Sequence, residues 1–200
     1  MLEIVRYGDP ILRHRAKPVK RVDREIRHLV EEMLDVMLEE EGIGLAAPQV
    51  GIPLRIVVLH WEDQDYCLVN PRILHKSKET ETEAEGCLSL PNLRGQVVRP
   101  FTVKVAALGI DGEPVQLEGE GTLARAICHE TNHLNGVLFI DHTLPDTLHW
   151  LIQVPAEGAA GEYECFREPT TLEAALQRLL AGEWPGAENE TSAPSLVHAP

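Results

Sequence analysis

The chain has 200 residues, 44% of them hydrophobic, which is enough for one compact domain with an appendage. Its 18 Lys and Arg against 32 Asp and Glu give a formal charge of −14, which disfavours nonspecific binding to nucleic acid or anionic membranes because both are polyanions. The sequence shows no secretory signal and no uncharged run of the ~18 residues that a membrane span needs, so we expect no membrane association. Its four cysteines show no paired spacing, which fits a protein of the reducing cytoplasm.

The charge is distributed unevenly along the chain. Residues 1–28 hold eight Lys and Arg against four Asp and Glu, a local +4, so the remaining residues carry −18. A basic arm on an acidic body can contact RNA, although a solvated, self-neutralising surface is the commoner explanation.

A first helix is predicted to begin after Asp23, a favourable N-cap, because apolar residues recur at steps of three and four from Ile26 to Met37. We expect Gly42 to end it as the C′ residue. From residue 54 to about 120 the pattern is typical of antiparallel strands, with a hairpin turn at Asp111-Gly112. The predicted strands cover 54–59, 66–69 before the Asn70-Pro71 break, 102–106 and 115–117, and the Glu-rich segment 76–85 is an exposed edge strand or a loop.

A second helix is predicted from about Thr122 to Asn135, and a short amphipathic helix at about 171–183 is capped by Thr171. Beyond Pro185 the composition predicts disorder. We therefore expect an α+β fold in which antiparallel sheets pack around the second helix, with an N-terminal helix and a C-terminal extension. The main unit would span 1–145 and the extension 146–200.

The second helix contains the most informative motif, His129-Glu130-Thr131-Asn132-His133. Two histidines four residues apart lie on one helical face, so both imidazoles can bind one metal ion. Glu130 then lies beside the metal, where a carboxylate can take a proton from water. The alternative is a helix whose histidines only pack or face solvent.

Cys87, in Glu85-Gly86-Cys87-Leu88-Ser89, is the best candidate for a third ligand, because a thiolate binds divalent transition metals well. Alone, it would be interpreted as a buried thiol, as we interpret Cys67, Cys128 and Cys165.

The segment Gly42–Gln49 is slim, with two glycines and two alanines, and such a segment can lie close to a ligand backbone or a metal centre. Gln49 offers a neutral amide donor for a developing oxyanion. Alone, the segment would be interpreted as a helix-terminating turn.

Together, the segments Gly42–Gln49, Glu85–Ser89 and His129–His133 resemble the three motifs of the peptide deformylase family, in its order and spacing. The resemblance implies hydrolysis of the N-formyl group from the terminal methionine of nascent polypeptides, with release of formate. It implies one divalent ion on Cys87, His129 and His133, typically ferrous iron, with zinc, nickel or cobalt as substitutes.

The resemblance also implies roles for the surrounding residues. Glu130 would act as general base and then as general acid, and the oxyanion would be held by the metal, the Leu88 N–H and the Gln49 amide. Gly44 and the backbone near Gly86 would pair with the peptide as an added strand. Ile43 and Arg94 are further expected contacts.

Helix spacing adds an expectation about the methionine pocket. Ala126, Arg125 and Thr122 lie one and two turns before His129, so we expect them to border the pocket, with small Ala126 leaving room for a thioether. The guanidinium of Arg125 is expected to point outward, over the rim.

Two features depart from the family pattern. The third motif normally has Asp before its last histidine, and here it has Asn132, which alters the support around the ligands. Family members that dock on the ribosome commonly use a basic C-terminal helix, whereas residues 171–183 carry Arg178 against Glu173 and Glu183.

Two other functions remain open at this point: a zincin-type metalloprotease and a catalytically silent metal-binding module. Cys87 disfavours the protease, since zincins usually complete their site with a histidine or carboxylate. Asn132 is the only feature that favours the silent module.

Overall fold

A computed structural model describes residues 2–155 and 163–186. The helices are α1 (Arg24–Glu39), α2 (Gly121–His133) and α3 (Leu172–Ala181), with 3₁₀ turns at Pro10–Arg13, Ala47–Val50 and Phe139–Asp141. The strands are β1 (Gly44–Ala46), β2 (Ile56–Trp61), β3 (Gln64–Lys76), β4 (Thr80–Cys87), β5 (Leu90–Pro100), β6 (Thr102–Leu108), β7 (Pro114–Glu120), β8 (His149–Pro155) and β9 (Tyr163–Pro169).

Helix α1 begins as predicted, but its C′ residue lies one position before the predicted Gly42. The Asp23 carboxylate accepts hydrogen bonds from the N–H groups of Glu25 and Ile26, which makes it the N-cap. At the other end, Glu41 has the positive φ of 52°, and the Gly42 N–H donates to the Met37 carbonyl. This is a Schellman ending with Glu41 at C′, so the prediction of Gly42 at that position was wrong.

The first sheet has five antiparallel strands in the order β1-β2-β3-β6-β7. The predicted strand break at Asn70-Pro71 was wrong, because β3 continues to Lys76 with a register shift between Val69 and Arg72. Asn70 adopts a φ of 55° there. Because the pairing is irregular at this point, Pro71, which has no N–H, does not have to donate a hydrogen bond to the neighbouring strand. The predicted turn at Asp111-Gly112 joins β6 to β7, with Gly112 at φ 88°.

The second sheet has the order β4-β5-β8-β9, so the Glu-rich segment is an edge strand. Strands β8 and β9 lie in the C-terminal segment, where the sequence predicted only a helix. Helix α3 has its predicted Thr171 N-cap, and Gly182 ends it. The predicted disorder beyond Pro185 concerns residues 187–200, which lie outside the described part of the chain.

Helix α2 is the centre of the fold, as predicted. It contacts β1, β2, β6 and β7 of the first sheet and β5 of the second. Leu123 and Ile127 pack with Leu59, Val103 and Val105 of the first sheet, all of them buried. The expected α+β class with antiparallel sheets around this helix is confirmed. Among the described helices, none is both long and apolar enough to span a membrane.

The C-terminal segment packs onto the second sheet. Ala175 and Leu179 of α3 are buried in one cluster with Trp150 of β8 and Leu12 near the N-terminus. The Arg178 guanidinium lies 5.0 Å from the centre of the Trp150 ring. Strand β8 extends the sheet from β5, so the segment completes a layer of the fold.

Candidate metal and active site

Three potential metal ligands converge between α2 and the end of β4. The Cys87 Sγ lies 3.3 Å from His133 Nε2, which lies 3.2 Å from His129 Nε2. All donor atoms are within 4.8 Å of one another, and all three side chains are buried. The helix brings the two imidazoles together through their i, i+4 spacing, and the second sheet supplies the thiol.

This arrangement fits a single transition-metal ion. Donors that share a tetrahedral ion at ~2.0–2.3 Å lie about 3.4 Å from one another, which agrees with the two distances above. One thiolate and two imidazoles also form a suitable donor set for such an ion. Three protein ligands leave a coordination position for substrate or solvent, as catalytic sites require.

Glu130 lies in the same buried region, next to strand β1. Its Oε2 atom is buried and has no hydrogen-bond partner among the described residues, and burial raises the pKa of its carboxyl group to about 7. A Cβ atom added at Gly44 would lie 2.7 Å from Glu130 Oε1 and 3.0 Å from Leu59 Cδ2. The β1 backbone can therefore pass this close to the carboxylate only because residue 44 is glycine.

Glu85 organises the site, and sequence reasoning did not find this role. Its carboxylate accepts from His129 Nδ1 at 3.0 Å, from Arg99 at 2.7 and 2.8 Å, and from Arg125 at 2.9 Å. Burial alone would raise the pKa of Glu85, but hydrogen bonds from Arg99 and His129 hold that pKa well below its usual value. The carboxylate fixes the His129 ring so that Nε2 faces the donor cluster.

Arg125 does not point outward, and that prediction was wrong. Its guanidinium is buried and also donates to the carbonyl oxygens of Val97 and Glu81, at 2.8 and 3.1 Å. The second sheet covers this side of α2, so the arginine stem cannot reach solvent. Ala126 is buried as well, among the residues that pack α2 onto the first sheet.

Gln49 lies against the donor cluster. Its Oε1 accepts from the Ala46 N–H at 2.7 Å, and its Nε2 donates to Cys87 Sγ at 3.5 Å. The first hydrogen bond fixes the amide, so its NH₂ group is directed into the site. Leu88 follows Cys87 in the turn to β5, and its carbonyl accepts from Arg6 Nη1 at 2.5 Å.

Gly86 and Arg94 are in direct contact. A Cβ atom added at Gly86 would lie 1.6 Å from Arg94 Nη1, so the guanidinium occupies the space of the absent side chain. Burial lowers the pKa of Arg94, and the nearby Cys87 opposes this effect. Ile43, 36% exposed, directly precedes β1, and its carbonyl accepts from the His60 N–H.

Asn132 contributes nothing to holding His129, since Glu85 does that. The Asn132 Nδ2 and the His133 Nδ1 are both buried without a hydrogen-bond partner in the described ranges. The interpretation of the remaining cysteines as buried holds for Cys128, and burial raises the pKa of the partly buried Cys67 to about 12. It was wrong for Cys165, which is exposed on β9.

An α+β fold whose central helix presents two histidines and a glutamate beside a buried cysteine defines a metal-dependent hydrolase. The chain belongs to the Polypeptide deformylase family, whose sequence model matches residues 1–147. The resemblance of the three motifs is thereby confirmed, and the activity of the chain is removal of the N-formyl group from nascent polypeptides.

Relatives and solved structures agree. The chain is 46% identical over 138 residues to Peptide deformylase 1 of Clostridium acetobutylicum, covering 69% of this chain and 91% of that protein. It is 50% identical over 134 residues to the peptide deformylase of Natranaerobius thermophilus, covering 66% and 86%. The crystal structure of the Thermotoga maritima peptide deformylase superimposes with a TM-score of 0.71 at 43% identity, over 72% of this chain and 99% of that one.

Proposed function

We propose that Cys87, His129 and His133 hold one ferrous ion and that the residues around it deformylate N-formylmethionyl peptides. The observation that carries this assignment is the convergence of three buried donors beside Glu130, whose Oε2 has no hydrogen-bond partner among the described residues. Zinc, nickel or cobalt fit the same donors. A bound divalent ion would polarise the formyl carbonyl and lower the pKa of water.

Glu130 moves the proton. Its carboxylate accepts a proton from the water whose oxygen attacks the formyl carbon, and it then donates this proton to the methionine nitrogen as the C–N bond breaks. Formate and the free amine leave. A pKa raised by burial to about 7 suits a group that must both accept and donate near neutral pH.

Gln49 and Leu88 stabilise the oxyanion. The Gln49 amide is oriented by the Ala46 N–H before any substrate binds, and the Leu88 N–H lies in the turn after Cys87. Donors that are fixed in advance require no reorganisation when charge develops on the carbonyl oxygen.

The peptide binds as an added strand between the two sheets. Strands β1 and β4 are edge strands, and they carry Gly44 and Gly86 where a slim backbone is needed. A peptide that pairs with such an edge gains main-chain hydrogen bonds. Ile43 and Arg94 contact the peptide, and Ala126 borders the methionine side chain.

We also propose a division of the chain, a cellular compartment and a partner for the enzyme. Residues 1–145 form the catalytic unit and 146–200 an extension, the protein acts in the cytoplasm, and it meets its substrate at the ribosome. Helix α3 is a poor candidate for ribosome docking, since Arg178 forms an ion pair with Glu168 at 3.1 Å.

Formate measurement tests the proposal directly. Metal-loaded protein is incubated with a formyl-Met-Ala-Ser peptide, and both formate and internal cleavage products are quantified. Formate release alone supports the assignment. Internal cleavage would indicate a zincin-type protease, and the absence of both products would indicate a silent metal-binding module.

A further inference from the structure

A row of cations lies on the surface before helix α1, outside the three catalytic motifs. Between residues 15 and 24 the basic side chains are exposed while the apolar ones between them, Ala16, Val19 and Val22, are buried. The exposed cations are Arg15, Lys17, Lys20, Arg21 and Arg24. None of these five side chains has an ion pair within residues 2–155 and 163–186, so their charge is not neutralised there.

The backbone under this row is fixed. The Lys17 N–H donates to the Pro53 carbonyl at 2.8 Å, and the Lys17 carbonyl accepts from the Arg55 N–H at 2.9 Å. The Asn70 side chain binds both backbone groups of Val19, each at 2.8 Å. These bonds hold the backbone at Lys17 and Val19, so the points from which the exposed cationic side chains project are fixed before a ligand binds.

The acids next to the row do not pair with it. Asp23 and Glu25 lie beside the row, and the turn that carries Asp111 and Glu113 packs against Val22. Among the described residues, none of these four carboxylates forms an ion pair with a cation of the row, and the Asp23 carboxylate is bonded to the N-terminus of α1 instead. On the other side, burial and the nearby Arg15 lower the pKa of Arg55, as expected where cations gather. The rest of the molecule is strongly acidic and repels polyanions, so this face is where a polyanion would bind.

We propose that the row from Arg15 to Arg24 is an RNA-binding surface. A membrane is the less suitable polyanion, because adsorption to lipid also needs several exposed large apolar side chains, and none of the described ones belongs to residues 13–27. Ile110, which is 38% exposed and accepts a hydrogen bond from Arg27, adjoins the segment. A groove of about 570 Å³ lies beside the row, and a lipid surface cannot enter a groove. Its lining combines the cations Lys17, Lys20 and Arg21 with the carboxylates of Asp23 and Glu25 and with apolar residues such as Ile26 and Leu54. A phosphodiester backbone can follow such a groove.

This inference goes beyond the proposed function and is tested apart from it. A fluorescein-labelled 20-nucleotide RNA hairpin is titrated with protein and followed by anisotropy at several KCl concentrations. On the duplex stem, five phosphate contacts give a slope of log K against log [salt] of about −4.5. The variant K17Q/K20Q/R21Q should bind about tenfold more weakly, with a slope about 3 units shallower.

The matched control is R72Q/K76Q/K78Q, which removes the same three charges from exposed positions on and just after β3. It should change RNA affinity less than twofold, and both variants should release formate from a free peptide at the wild-type rate. Equal RNA affinity of both triple variants would overturn the proposal. So would binding to vesicles with 30% phosphatidylserine that is tighter than binding to the hairpin.

Discussion

The buried carboxylate of Glu85 is expected to stabilise both the fold and the metal site, and Glu85→Gln tests this directly. Glutamine keeps the shape of the side chain but loses the charge that faces Arg99, Arg125 and His129. These residues are 8% exposed or less, so solvent does little to screen the two guanidinium charges left behind. Removing one partner of a buried ion pair costs about 3–5 kcal/mol, a large part of the ~5–15 kcal/mol that stabilises a domain.

A second effect of Glu85→Gln concerns the metal. Glutamine has one acceptor oxygen where Glu85 uses two, so its NH₂ group must face either His129 Nδ1–H or the arginine donors. The His129 ring is then held less firmly, and metal affinity should fall about 10–100-fold. Unfolding by urea, followed by circular dichroism on metal-free protein, measures the free energy of unfolding. Competition with a chromophoric zinc chelator measures the affinity.

The control is Glu83→Gln, the same change two residues earlier on β4, where the side chain is exposed. It should change the free energy of unfolding and the free energy of metal binding by no more than about 0.5 kcal/mol, the usual effect of a surface substitution. If Glu85→Gln and Glu83→Gln behaved alike, the carboxylate would not have the role that its four hydrogen bonds indicate.

Three further substitutions test the catalytic assignments. Glu130→Gln should lower kcat by about 10²–10⁴ with unchanged metal content, and retained turnover would refute its role as general base. Gly44→Ala places a methyl group 2.7 Å from Glu130 Oε1, so kcat should fall at least about tenfold, whereas Gly109→Ala, far along the chain from the site, should keep the wild-type rate. Ala126→Phe should raise KM for formyl-methionyl peptides, and unchanged kinetics would remove this residue from the pocket.

The parts of the site that could be predicted from the sequence are local. His129, Glu130 and His133 follow from helical spacing alone, because the i, i+4 relation fixes which side chains share a face. The Asp23 and Thr171 caps are likewise set by residues within one turn. Gly44 was singled out as a point of close approach, and the structure shows that Glu130 is the group it approaches.

What could not be predicted depends on pairings between distant residues. Glu85 meets Arg99 and Arg125 across 14 and 40 residues, and no periodicity records such contacts. The outward direction expected of Arg125 followed from the helix alone, whereas the second sheet determines its surroundings.

Two strands of the second sheet, β5 and β8, also lack a clear local sequence pattern. Strand β5 has one proline at its second residue, Pro91, and another at its last, Pro100, and it contains Gly95. Its composition therefore resembles that of a loop. Its alternating burial appears only in the structure. Strand β8 is largely apolar, but it pairs with β5 through Leu93 opposite Trp150 and Arg94 opposite His149, which are 57 and 55 residues apart. No local pattern encodes this pairing.

If the site works as we propose, one sulfur and two imidazole nitrogens bind the same ion. X-ray absorption at the zinc edge of the zinc-loaded protein measures this directly. We predict one sulfur at about 2.3 Å and two nitrogens at about 2.0–2.1 Å, with the sulfur signal lost in Cys87→Ser. A wild-type spectrum without sulfur scattering, or one that Cys87→Ser leaves unchanged, would contradict the claim.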